Sequence, residues 1–134
     1  MKNLIIALLL ASTAACTQET IDLSPKLATK VELSFDTEVV YQEGVKIKIT
    51  KIEDSRCPKN VTCVWAGMAR VFFTITEKSI SKDGSIDFES NPVKTTIDVG
   101  GQKYNVEVSD VLPYPKDTNE TSQKEYKVSL TLSK

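Results

Sequence analysis

The chain has no histidine, one tryptophan, two methionines and three cysteines in 134 residues. Histidine is the side chain that most often moves protons near neutral pH and most often ligates metals. Its absence turns the reading away from His-based catalysis and from metal or cofactor chemistry, and no cofactor is expected. Excess positive charge is missing too. Seventeen Lys and Arg face eighteen Asp and Glu, for a net charge of −1, and because Lys2 is the only charged residue before position 16, the remainder carries −2. The basic footprint that a phosphate backbone demands is therefore lacking, and no nucleic acid is expected as a partner. Beyond the amino terminus there is no helical period with caps, no internal repeat, no phosphate-cradling Gly loop and no nucleophilic Ser context. Acidic residues are spread without a pair at catalytic spacing.

The first sixteen residues are of a different kind. A short positive start at Met1, Lys2 and Asn3 leads into an apolar run over residues 4–11, too short to span a bilayer as a permanent helix. Residues 1–15 read as a signal peptide. Ser12, Thr13, Ala14 and Ala15 then lead into Cys16. This stretch resembles the lipobox of bacterial lipoproteins, with Thr13 standing where the usual residue is Leu. The resemblance implies cleavage after Ala15, a diacylglycerol thioether on Cys16 and an acylated amine. Each buried methylene contributes about 0.8 kcal/mol, so two or three chains would hold the protein on a membrane of the bacterial envelope, periplasmic or surface-facing. Cysteine arithmetic points the same way, because three cysteines in an exported chain leave one without a partner. Residues 16–30, with Pro25 in their middle and no sustained period, read as the lipidated cysteine and a flexible tether reaching roughly 20 Å.

Residues 31–134 should then form one domain built of strands. Val31, Leu33 and Phe35 alternate with polar residues, as do Val45, Ile47 and Ile49, and a short strand is expected around Val39 and Val40. At Ile52 the apolar parity slips by one, which a β-bulge would produce. Residues 68–77 carry Val71, Phe73 and Ile75 on one face and Phe72 on the other, the pattern of a strand covered on both sides. Residues 78–92 read as the longest loop, with Asp83 and Gly84 as its turn and a short edge strand at Ile86 and Phe88. Gly100 and Gly101 form the connection of a tight hairpin between residues 93–99 and 102–109. The last strand, residues 126–132, buries its even positions. Six to eight short strands in about a hundred residues predict an all-β, antiparallel sandwich, with a small barrel as the alternative.

Residues 54–67 concentrate the rare side chains. Cys57 and Cys63, in an exported protein, are expected to form a disulfide, worth about 2.4 kcal/mol by the chain-entropy argument for so short a loop. The spacing is wrong for a Cys-x-x-Cys redox pair. Trp65 lies two residues beyond Cys63, and the expectation is that it packs on the disulfide and closes one end of the core. The alternative is an exposed ring that serves a protein or glycan surface. Asp54 is expected to pair with Arg56 or Arg70. Asp54, Ser55, Arg56, Cys57 and Pro58, followed by Cys63, Val64, Trp65, Ala66 and Gly67, also resemble a motif of small uncharacterised exported bacterial proteins, which implies no particular activity.

The functional expectation is a non-enzymatic, lipid-anchored binding or structural module, held to the membrane through Cys16 and contacting a protein or glycan ligand. Two alternatives stand beside it. One is a protease inhibitor that presents Arg56 or Lys59 on the stapled loop. The other is a carboxylate-based hydrolase of envelope polymers, which would require two acidic side chains facing one cleft.

Overall fold

The computed structural model describes residues 23–134. Cys16, the signal peptide and the first part of the tether lie outside the described residues. Eight strands follow in order: β1 (Lys30–Ser34), β2 (Glu38–Val40), β3 (Val45–Asp54), β4 (Ala69–Glu77), β5 (Ile80–Phe88), β6 (Val93–Val99), β7 (Gln102–Leu112) and β8 (Lys127–Ser133). They form two antiparallel four-stranded sheets, ordered β1-β8-β7-β6 and β2-β3-β4-β5. The architecture is the expected sandwich. Among the described residues the only helical element is a 3-10 turn at Gln123–Glu125.

Alternation of side chains builds the core between the sheets. Val45, Ile47 and Ile49 of β3, Val71, Phe73 and Ile75 of β4, and Val106, Val108, Leu130 and Leu132 of the opposite sheet are all buried. Period-two patterning places each set on one face. The parity slip is a bulge. Ile49 pairs with Phe73 and Lys51 with Phe72, which leaves Thr50 as the extra residue and returns Ile52 to the core. The glycine hairpin is also as expected, with Gly100 at φ 60° and Gly101 at φ 89° between β6 and β7.

Three expectations are corrected. Residues 78–92 are mostly strand: the expected edge strand at Ile86 and Phe88 is there, but β5 extends it back straight through Asp83 and Gly84, and the turn lies earlier, with Lys78 at φ 56°. Gly84 pairs with Phe73 inside the sandwich, where a Cβ would come within 2.5 Å of Ile97 Cδ1 and 2.8 Å of the Phe73 ring. Crowding by the Ile97 and Phe73 side chains, not a turn, favours a glycine there. β4 is central in its sheet, yet its second face is only partly covered: Phe72 is half-buried, with the Lys51 ammonium 5.8 Å from its ring centroid. Residues 24–29 are fastened rather than tether. Gln42 N–H donates to Pro25 O, the Leu27 N–H to the Glu43 carboxylate, and the Ala28 N–H to Leu132 O.

These fastenings define a polarity. The described chain begins beside the Tyr41–Val45 turn, at the end of the sandwich where β3 and β8 have their Val45 and Ser133 termini. Asp54, at the other end of β3, opens the stapled loop. Ten residues of strand separate the two poles, about 30 Å.

Candidate functional site: the stapled loop

β3 and β4 do not stop at their last paired residues. The Ser55 N–H donates to Met68 O at 2.8 Å and the Cys57 N–H to Ala66 O at 2.8 Å, so the two arms continue as a narrow ladder beyond the sheet. Cys57 and Cys63 close its tip as a disulfide, with Cα atoms 5.8 Å apart. Gly67 makes the narrowing possible. Its φ is +70° and a Cβ there would lie 1.8 Å from Ser55 O, a position only glycine can occupy.

The base of the loop is fixed by a buried ion pair. Arg56 donates from Nε and Nη2 to the two Asp54 carboxylate oxygens at 2.8 and 2.6 Å, and the two side chains are only 3% and 4% exposed. Two further guanidinium hydrogens go to Val111 O at 2.8 Å and Pro113 O at 3.1 Å. Tyr126 Oη adds a bond to Asp54 Oδ2, and burial raises that phenol's pKa. A buried charge is tolerated when it is paired and well hydrogen-bonded, and this guanidinium makes four hydrogen bonds, two of them to its counter-ion. Above it the Tyr114 ring lies 4.9 Å from the guanidinium carbon and donates its hydroxyl to Cys57 O at 2.9 Å.

This arrangement explains where the tryptophan goes. Arg56, Asp54, Tyr114 and Tyr126 close the end of the core, the task expected of Trp65. Trp65 is 81% exposed and Val64 88% exposed, side by side at the tip, so the packed indole is corrected to an exposed one. Arg56 is the partner of Asp54, one of the two expected, and as the buried anchor of the loop it is not presented as the protease-inhibitor alternative requires. Lys59 is exposed, with its Nζ 5.5 Å from the Tyr114 ring and its backbone N–H donating to Pro115 O. No family model matches this chain, and comparison with curated proteins and with solved structures gives no match.

Beside the loop a groove of about 200 Å³ is lined by Phe88, Val111, Leu112 and Tyr114, with Glu89 and Asp110 also facing it. Leu112 and Tyr114 are part-exposed. With Val61, Val64 and Trp65 they make five of the eight large apolar side chains exposed among the described residues, so the apolar surface is concentrated at this pole. Neither the Pro113–Tyr114 wall nor its Leu112 floor was anticipated from sequence. The pattern that would have found them is the apolar run from Val111 to Tyr114 at the end of β7.

Acidic side chains do share grooves: Glu89 and Asp110 line the one beside the loop, where the Asp110 carboxylate accepts from the Val111 N–H, and elsewhere cations hold the carboxylates. Glu53 and Asp54 line a groove of about 180 Å³, where Glu53 pairs with Lys51 at 2.6 Å and Asp54 with Arg56. Asp87 is held by Arg70 at 2.6 Å, and the hydrogen bond from that guanidinium lowers its pKa. Among the described residues no three His, Cys, Asp or Glu side chains are placed to hold a metal ion.

Proposed function

We propose that this chain is a lipid-anchored, non-catalytic binding module of the bacterial envelope, attached through Cys16, whose contact surface is the tip of the stapled loop. The observation that carries the reading is the pairing of Val64 and Trp65, almost wholly exposed, on a loop whose tip is closed by a disulfide and whose base is locked by a buried ion pair. Covering an apolar side chain of that size contributes roughly 1.5–3 kcal/mol, and a rigid loop loses little entropy on doing so. Residues 60–69 carry no charge, which favours an apolar contact on a protein over a glycan site, where polar groups must surround the ring.

Two measurements test the reading. Mass spectrometry of the mature amino terminus should find Cys16 carrying acyl chains, and Cys16→Ser should release the protein from membranes. Trp65, the only tryptophan, makes intrinsic fluorescence a direct probe of the tip. Emission that stays red in solubilised native membranes, with no change relative to buffer, would sink the binding role.

A second reading survives in reduced form. Lys59 is exposed on the stapled loop, so inhibition of a basic-specific protease would pass through Lys59 alone. Trypsin-like activity unaffected by an excess of the intact protein removes it.

A further inference from the structure

Given that the stapled loop is the contact surface, we propose that its occupant is a second copy of this chain, with the Val64–Trp65 tip of each copy seated in the groove beside the loop of the other.

Both halves of such a contact are present at one pole. The tip is a convex, uncharged knob, and its indole N–H is a donor with no acceptor capacity. The groove exposes Leu112 and Tyr114, with the buried Phe88 and Val111 behind them, and Glu89 and Asp110 also line it. Among the described residues the Glu89 carboxylate has neither a hydrogen bond nor an ion pair, so it is open to an indole N–H. Trp65 is 81% exposed and so does not fill its own groove. Because knob and groove lie on the same pole, a two-fold axis can bring each knob to the other copy's groove, which is the self-complementary arrangement of an isologous pair.

Charge and polarity argue against a lipid occupant. Glu89 and Asp110 would repel an anionic headgroup surface, and the tip lies at the pole opposite the one where the described chain begins. Five apolar side chains and two carboxylates fall short of the roughly 20–30 residues per side of a stable interface. The association is accordingly weak and reversible, and confinement of both copies to one surface strengthens it by raising their effective concentration.

The test uses the full chain in its own envelope with a photo-crosslinking residue in place of Val64 and Trp65 retained. Illumination should give a product of twice the chain mass, with the link mapping to residues 88–90 or 110–114. Trp65→Ala should cut its yield at least tenfold. Leu112→Lys, at a half-exposed position that leaves the fold intact, should do the same. Coexpressed Trp65→Ala and Leu112→Lys chains should still link to each other, since one knob and one groove remain. A product containing one different protein would overturn the second-copy inference and leave the binding module standing. Linkage to lipid alone, or no product, would overturn both.

Discussion

Asp54 and Arg56, two residues apart where β3 leaves its sheet, form a 2.6 Å ion pair whose members are almost wholly buried. The same guanidinium donates to Val111 O and Pro113 O, so one side chain ties the stapled loop to the far sheet. Arg56→Ala should destabilise the domain by about 3–5 kcal/mol, because it strands a buried carboxylate. Arg56→Lys should recover only part of this, since an ammonium cannot bond two carbonyls and both carboxylate oxygens with a planar fork. The double variant Asp54→Ala, Arg56→Ala should lose markedly less than the sum of the singles. Urea unfolding of the four proteins checks this, and additivity would disprove the coupling.

Gln123 caps the open edge of β3. Its side-chain amide accepts from the Ile52 N–H at 2.8 Å and donates to Ile52 O at 2.7 Å, as a neighbouring strand would. β2 covers only Lys46 to Lys48, so without Gln123 the bulged half of β3 would present bare backbone. Gln123→Ala should cost about 1–3 kcal/mol and speed hydrogen exchange at the Ile52 amide. Unchanged exchange there would show that the amide is not the protecting partner.

How much of this was legible in the sequence follows from the range of the interactions. The strands, the bulge at Thr50 and the Gly100–Gly101 hairpin are written in local alternation and turn chemistry, and the Cys57–Cys63 bond in spacing. Gly84 was misread because a glycine after an aspartate signals a turn locally, whereas its cause is the Ile97 side chain on the opposite sheet. Trp65 was misplaced for a similar reason. Its expected position is taken by Arg56, whose carbonyl partners Val111 and Pro113 are more than fifty residues away. Likewise the edge cap at Ile52 comes from a side chain 71 residues on, which no local pattern announces.

Gly67 and Gly101 both have positive φ, yet they should respond differently to alanine. At Gly101 nothing lies within 4 Å of the added Cβ, so only backbone strain is incurred, on the order of 1–2 kcal/mol. At Gly67 the Cβ would meet Ser55 O at 1.8 Å, and the ladder that narrows the loop must open. Gly67→Ala should therefore cost more than about 3 kcal/mol and also change the mobility of the Trp65 ring, read by fluorescence anisotropy. Equal effects of the two substitutions would refute the close approach as the cause.

Tyr41 provides a pH dependence with a definite sign. Its ring is 1% exposed and its hydroxyl is buried without a hydrogen bond. Burial first, and the nearby Glu43 carboxylate second, push its pKa up from 10.0 to about 12. In the unfolded chain the phenol ionises near 10, so between pH 10 and about 12 the unfolded state binds fewer protons than the folded one. The stability that the neutral phenol retains below pH 10 is thus lost as pH rises through this window, by about 2 kcal/mol. Burial also raises the phenols of Tyr104 and Tyr126, which steepens the wild-type decline in the same direction. Tyr41→Phe isolates one contribution. It should flatten the decline between pH 10 and 12 by that amount, and at pH 7 it should raise stability by about 1 kcal/mol, since it removes a buried hydroxyl without a partner. Urea midpoints measured from pH 7 to 12 on both proteins decide the matter. Parallel curves would mean that Tyr41 titrates alike in the folded and unfolded chains, and a loss of stability at pH 7 would mean that its hydroxyl is satisfied after all.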